Sequence, residues 1–592
     1  MVDVQAMFES VPTWTWVLLG VGLYWMAVIW LRESGRLPEY VGNQGPILTL
    51  HTRRFRELLD RLAAPKRAWR AWGNLGVGVA LVVMVGSFLL IVLGAYNQLR
   101  NPAPPTPANR PQNVLVIPGV NEFLPLSVAP EIVLGLLVGL IVHEGGHGLM
   151  CRVGDIDIES VGLALLAIVP VGAFVEPDED SRLAASRGDQ TRMFAAGVMN
   201  NFAIALIALA LLFGPVVGML GVAPGAAVGA ALPGSAAEEA GIGSGDRIVA
   251  VAGQPIANNS DLESTLAGLE DRSVAVRVDD SDATRTVTVD RSVLVVSVAG
   301  DSPFAGVGAG DRIASVNGTP VHTEAGFREA LAARQVATIE TAQGATATGV
   351  VGAAVVVSED GPMAAAGVEP GPAVITSIDG ERVASAEALS DVLDDTRPGQ
   401  TVGVEFYRDG VREEQAVELG EHPDGHGLLG ILVSPGISGL SVNDFGVRLY
   451  PADQYLGLIG DDGTGFLQRA ALVYVLPFAT LFGLSYNFAG FTGGIANFYV
   501  VPEPLAGVAG LVFGLANALF WVGWINLVLG QFNCIPAFPL DGGHILRTST
   551  EAVVSRLPVE NRRRLTTTVT TSVGLLMLAS LLLLLFGPQL LR

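Results

Sequence analysis

Two histidines and a glutamate interrupt an apolar run, LGLLVGLIVHEGGHGLM, at residues 134–150. Ionisable groups in such a stretch are costly and usually serve a function. His143 and His147 are four residues apart, so on a helix both imidazoles share one face and can reach one metal ion. Glu144 is turned by about 100 degrees from His143, given 3.6 residues per turn. It can approach the metal's open side without being a ligand. A zinc ion held there polarises a carbonyl and makes a water more acidic, and the glutamate can carry the proton to a leaving amine. The bland alternative is a packed pair of core histidines, which in a membrane span would still need polar partners. Gly145 and Gly146 leave room for a substrate strand or for close helix packing.

A catalytic zinc usually has three protein ligands. The other histidines are His51, His322, His422, His426 and His544. A stronger candidate is Asp541, in the apolar stretch NCIPAFPLDGGHIL between Pro539 and Gly542-Gly543. A lone Asp there would be expensive. It reads equally well as a ligand and as a cap on the polar helix that follows. Cys151 and Cys534 lie beside these motifs and are expected to pack as small hydrophobes, with thiolate ligation the alternative.

These residues must be placed by membrane helices. Spans are expected at 13–31, 74–95, 130–153, 193–214, 503–530 and 567–587. The segment between the first two is the most basic in the chain, which puts it in the cytoplasm. Tryptophans at 14, 16, 25, 30, 69 and 72 suit interfacial anchoring. Residues 160–175 are apolar but broken by Pro170 and Gly172, so they read as a β-hairpin or a re-entrant element. Residues 469–490 are long enough to span, but the Gly and aromatic content of 469–500 suits a re-entrant or interfacial segment.

Between 225 and 430 the apolar runs shorten and a motif repeats. AGIGSGDRIVAVAGQPI near 240 aligns with AGVGAGDRIASVNGTPV near 305, and AGVEPGPAVITSIDGERV near 366 is a weaker copy. Asn317-Gly318 and Asp379-Gly380 are tight-turn pairs. The pattern resembles PDZ domains. The early spans place this region outside, with the His/Glu cluster nearer the cytoplasmic side.

The chain has 592 residues, 50% of them hydrophobic, and a net charge of −22. Lys66 is the one lysine among 35 basic residues. That acidic, lysine-poor balance suits a high-salt organism such as a haloarchaeon, or reflects a GC-rich genome. No extended basic face points to nucleic acid. With two cysteines a disulfide framework is excluded.

H-E-x-x-H in one span followed by N-x-x-P-x-x-P-L-D-G-G in a later one resembles the site-2 protease family of intramembrane zinc metalloproteases. The second motif is complete from Asn533 through Pro536, Pro539, Leu540 and Asp541 to Gly542 and Gly543. The resemblance implies one catalytic zinc ion on His143, His147 and Asp541, with Glu144 as base and Asn533 holding substrate backbone. AAGVMNNFA, with Gly197 and Asn201, fits the family's small-residue motif loosely; Asn201 reads equally as an interhelical packing residue. PDZ domains inserted between two membrane halves are also implied.

The expected fold is thus a polytopic α-helical membrane protein with inserted soluble α+β PDZ-like domains. N-terminal spans and the basic loop occupy 1–126, and the first half of the core 127–224. PDZ-like modules fill 225–290, 291–350 and 351–430, and the second half of the core fills 431–592. The expected function is regulated intramembrane proteolysis of membrane-anchored proteins in the cell membrane, with the external domains filtering substrates and holding peptide tails. The alternative is a catalytically silent PDZ scaffold. A transporter would show an inverted repeat, and none is visible.

Overall fold

A computed structural model describes residues 13–591, apart from 37, 39, 45–46, 52–53, 114–115, 167–168 and 461–462. The side chains of Trp14 and Trp16, expected as interfacial anchors, lie outside the described residues. The chain divides into two units: Met1–Gly221 with Gln454–Thr492 and Val501–Arg592, and Val222–Asp453 with Gly493–Val500.

The first unit is helical. Among the described residues, five helices are long and apolar enough to cross a membrane: Lys66–Arg100, Leu126–Val153, Arg187–Met219, Ala506–Asn533 and Arg562–Leu590. A further helix, α1 (Thr13–Glu33), falls where the first span is expected. Next come α2 (Arg54–Leu62), α3 (Lys66–Arg100), α4 (Ala129–Val153) and α5 (Arg187–Leu211). After the second unit follow α6 (Phe466–Val475), α7 (Ala509–Asn533), α8 (Asp541–Val554) and α9 (Arg562–Leu590).

Small residues set the helix packing. A Cβ on Gly135 would stand 2.8 Å from the Trp521 carbonyl, and one on Gly139 would stand 2.5 Å from Leu529. Residue numbers rise together along that contact, so α4 and α7 run parallel. Gly523 packs on Leu209 and Gly530 on Phe202, so α5 runs antiparallel to α7. In lipid, where apolar surface gains little by leaving one apolar medium for another, such close backbone approach is what drives helices together.

The segment at 469–490 is not a full span: α6 has 10 residues and passes into a 3₁₀ stretch, Leu476–Phe482. The irregular chain beyond it is bonded by α7. Trp521 Nε1 donates to the Ala489 carbonyl at 3.0 Å, and the Asn517 side chain both donates to and accepts from the Phe491 backbone, at 3.1 and 2.7 Å. Non-helical backbone is tolerated at membrane depth where protein groups satisfy it in this way. α4 and α7 can therefore run the same way, with both motifs at one end.

The basic stretch between the first spans is more than a loop. Strands β1 (Val41–Gln44) and β2 (Ile47–His51) join β3 (Ile158–Leu166) and β4 (Val169–Pro177) in one sheet, ordered β1-β2-β3-β4. The apolar, Pro- and Gly-broken element at 160–175 is thus the β3–β4 hairpin, and β4 is an edge strand.

The second unit holds three six-stranded sheets. The first contains β5 (Ala226–Ala231), β6 (Arg247–Val251), β7 (Ser273–Asp279) and β8 (Thr284–Asp290). The second contains β9 (Val293–Val298), β10 (Arg312–Val316), β11 (Val336–Thr341) and β12 (Thr346–Val350). The third contains β13 (Ala353–Val357), β14 (Gly371–Ile378), β15 (Thr401–Arg408) and β16 (Val411–Glu418). Asn317, Gly318, Asp379 and Gly380 all have positive φ, as their tight turns demand.

The closing strands come back in reverse order. β17 (Ile431–Val433) pairs with β13, β18 (Leu440–Asn443) with β9, and β19 (Val447–Leu449) with β5. Each module is nested inside the one before it. The stretch after 430 therefore does not open the second membrane half, as a boundary at 431 supposes. It completes three sheets whose short, polar-flanked strands look like loop in the sequence. Each module has its own buried apolar cluster, built around Phe445, Phe327 and Phe406 respectively. Between the first two modules Arg291 and Asp444 form a buried ion pair at 2.6 Å. Arg291 also donates to the Leu266 carbonyl, and Asp444 accepts from the Glu324 N–H. Burial pushes the Glu324 carboxyl above its ordinary range.

Candidate metal centre

His143 and His147 lie on the inward face of α4, 7% and 9% exposed. Their rings meet edge to face with centroids 4.7 Å apart. Asp541 enters from the first turn of α8. Its Oδ2 lies 3.1 Å from His143 Nε2 and 3.4 Å from His147 Nε2. The N-cap of α8 is Leu540, and Asp541, the first helical residue, is directed at the histidines. The motif's glycines make that entry possible. A Cβ on Gly542 would overlap the backbone of Cys534 and Ile535, and one on Gly543 would stand 2.8 Å from the Ala537 carbonyl.

The donor set fits one zinc ion: two imidazole nitrogens and a carboxylate leave a fourth position open, as in catalytic sites. One atom from each of the three residues lies within 4.8 Å of the others. His147 Nδ1 donates to the Met193 carbonyl at 2.8 Å, which leaves its Nε2 lone pair for a metal. Gly197 faces the pair from α5; a Cβ there would stand 2.7 Å from His147 Nε2 and 3.0 Å from His143 Cε1. The space at the nitrogens is kept open by the absence of one methyl group.

Glu144 is directed elsewhere. One of its carboxylate oxygens accepts the N–H of Val175, in edge strand β4, at 3.0 Å. It also lines a cavity of about 680 Å³ between α4 and the sheet. Gly146 serves helix packing: a Cβ would stand 2.7 Å from the Ala196 carbonyl on α5.

The asparagines fall differently from expectation. Asn533, half-buried, donates to Leu529 in its own helix at 3.0 Å. Asn201 is fully buried, and neither side-chain polar atom has a hydrogen-bond partner among the described residues. Its neighbour Asn200 holds the site: Nδ2 donates to the Val142 carbonyl at 3.0 Å, and Oδ1 accepts from Trp72 Nε1 at 3.0 Å. Adjacent in sequence, the two asparagines stand about 100 degrees apart around the helix, and it is Asn200 that bonds to α4. Cys151 packs on Met193, Cys534 is buried, and the His544 ring stacks on Phe194 at 4.3 Å. None of the three belongs to the cluster. The Met193 carbonyl and the Val175 N–H carry no sequence signal, because any residue type supplies them.

With this geometry in view, comparison with known proteins is decisive. The model of peptidase family M50 matches residues 131–579. The chain belongs to family M50. Membership supports a site-2-type metallopeptidase and implies zinc; with the five apolar helices it indicates a multi-pass membrane protein. An uncharacterized protein of Methanocaldococcus jannaschii is 26% identical over 33% of this chain and 50% of its own length. The chain thus spans about half the length of that relative. A wider match is a Neisseria meningitidis protein named as a candidate zinc metalloprotease, 24% identical over 71% of this chain and 90% of that protein. The PDZ domain of an SdrC-like protein from Listeria monocytogenes is 27% identical over 14% of this chain and 86% of that domain. Its TM-score is 0.13, too low to support a fold argument.

Proposed function

We propose that this M50 chain is an intramembrane zinc protease that cleaves peptide bonds within or beside the spans of membrane-anchored proteins. The observation that carries the reading is the convergence of Asp541 from α8 with His143 and His147 on α4. These three residues would hold the ion, which when bound supplies Lewis-acid polarisation of the scissile carbonyl and acidifies a water. Glu144 takes the proton of the attacking water on its carboxylate and passes it to the leaving amine.

A helical substrate hides its peptide bonds in its own hydrogen bonds and must unwind before attack. Edge strand β4 offers the unwound segment a strand to pair with, which would satisfy its backbone groups in lipid. Asn533 would help hold that backbone by releasing its bond to Leu529; Asn201, buried and unpaired, has the weaker claim to such a role.

The three nested modules read as PDZ-like domains on the outer side, because the basic segment at 32–72 belongs in the cytoplasm. From there they filter substrates by the bulk of their outer domains and bind peptide tails. The active site sits nearer the inner side. The acidic, lysine-poor surface fits a haloarchaeal, high-salt setting. A silent scaffold is the poorer reading, since it needs neither Glu144 nor the buried Asp541.

The test is cleavage of a model single-span substrate by the purified full-length protein, with zinc analysis, beside Glu144→Gln. Zinc-loaded wild type that cleaves no spanning substrate would leave the scaffold reading in place.

A further inference from the structure

The cavity beside Glu144 has a wall that the family match does not reach. The match begins at residue 131, whereas Tyr40, Leu50 and His51 line the cavity from the N-terminal β1–β2 hairpin. Ile141 on α4 lines it as well, with Leu163, Ala173 and Val175 on the sheet. At about 680 Å³ the space falls within the ~300–1,000 Å³ range of ligand sites and is lined mainly by apolar groups.

Leu50 pairs with Leu163 and Leu163 with Ala173, so one face of the sheet carries all three, and the opposite face is built across the same three strands. His51 pairs with Gly162, and Gly162 pairs with Phe174. A Cβ on Gly162 would overlap the Phe174 ring and the Leu50 carbonyl, so the glycine lets that ring lie flat over the sheet. The His51 ring meets Phe174 edge-on at 5.2 Å, and its Nε2 lies 3.2 Å from Thr49 Oγ1. The cavity is thus apolar along the sheet, with the Glu144 carboxylate on its α4 side.

We propose that this cavity receives a large apolar side chain, of Leu or Phe type, from the substrate residue next to the scissile bond. Leu50 then decides which side chain is accepted. The proposal rests on the proteolytic reading above. Its geometry follows from Glu144, which both borders the cavity and contacts edge strand β4. A substrate strand laid along that edge would alternate its side chains, sending every second one to the cavity side. The N-terminal hairpin is thereby a specificity element supplied from outside the family-matched region.

The experiment uses the full-length protein and single-span substrates that carry Ala, Leu, Phe or Trp beside the cleaved bond. Leu50→Trp should lower the kcat/KM ratio of the Leu or Phe substrate over the Ala substrate by at least about 10-fold, the scale of a misfitted apolar pocket. Leu50→Ala should move the preference toward Trp. Zinc content, measured alongside, should match wild type. A uniform change across all four substrates, or none, overturns the pocket assignment while leaving proteolysis intact.

A second measurement does not need turnover. In Glu144→Gln protein carrying Leu50→Cys, a bifunctional thiol reagent should link position 50 to a cysteine placed beside the scissile bond. It should not link to one placed eight residues away. Linking without cleavage by otherwise wild-type protein would sink the proteolytic reading but keep the pocket; equal linking at both positions sinks the pocket.

Discussion

The backbone N–H of Val175 donates to the Glu144 carboxylate at 3.0 Å, which ties the residue beside His143 to the outermost strand of a sheet. The group assigned to proton transfer and the edge assigned to substrate pairing are therefore in contact before any substrate arrives.

Glu144→Gln keeps an oxygen that can accept from Val175, so the local fold should survive. Loss of the carboxylate should lower turnover by about 10²–10⁴-fold, the usual scale of general acid–base catalysis, with zinc content unchanged. Loss of zinc from this variant would contradict the role given to Glu144.

Asp541→Ala removes the carboxylate that faces the two Nε2 atoms. Zinc should fall from about one per chain toward none, because two imidazoles alone make a poor site. Metal analysis after dialysis checks this. Occupancy close to wild type would return the aspartate to a structural role at the start of α8.

Gly197→Ala separates helix stability from metal binding. Alanine should favour helix α5 by about 1 kcal/mol in propensity. Yet its Cβ would stand 2.7 Å from His147 Nε2. The variant should fold and insert normally while binding zinc more weakly. Unchanged zinc affinity in a titration would show that the site relaxes around the methyl group.

Asp444→Ala leaves the Arg291 guanidinium buried without its charge partner between the first two modules. Stripping one partner from a buried pair costs about 3–5 kcal/mol. The unfolding transition of the β-rich unit, followed by urea titration of the full chain, should shift accordingly. A change below about 1 kcal/mol would mean that water replaces the lost carboxylate.

Nesting predicts where the outer region can be cut. Ser438 N–H donates to the Gly352 carbonyl and Ser434 N–H to the Ala354 carbonyl, so the two ends of the third module lie side by side. Excising 353–433 with a short Gly/Ser bridge should leave the first two modules folded. If the modules act as a filter, this protein should still cleave a small model span and discriminate less against a substrate with a folded outer domain. Excising 351–430 instead strands β17 without its partner and should give a less stable protein. Equal stability of the two deletions, by thermal melting, would argue against the nested arrangement.

The sequence alone marked the residues that could do chemistry. H-E-x-x-H four residues apart in an apolar helix, and an aspartate fixed between a proline and two glycines, are local patterns whose cost in lipid demands a purpose. It also determined the long helices, because about 20 apolar residues must find an apolar medium. It left open whether Asp541 binds metal or caps a helix; the answer depends on α8 meeting α4 across some 400 residues of chain, which no local pattern encodes. The same holds for Asn200 over Asn201, where a difference of one residue in helical phase is settled by the packing of α5 against α4. Strands β1 and β2 were hidden in a basic stretch, and strands β17 to β19 in what read as the start of a membrane half. Short strands owe their existence to the partner that pairs with them, so only the assembled sheets revealed them.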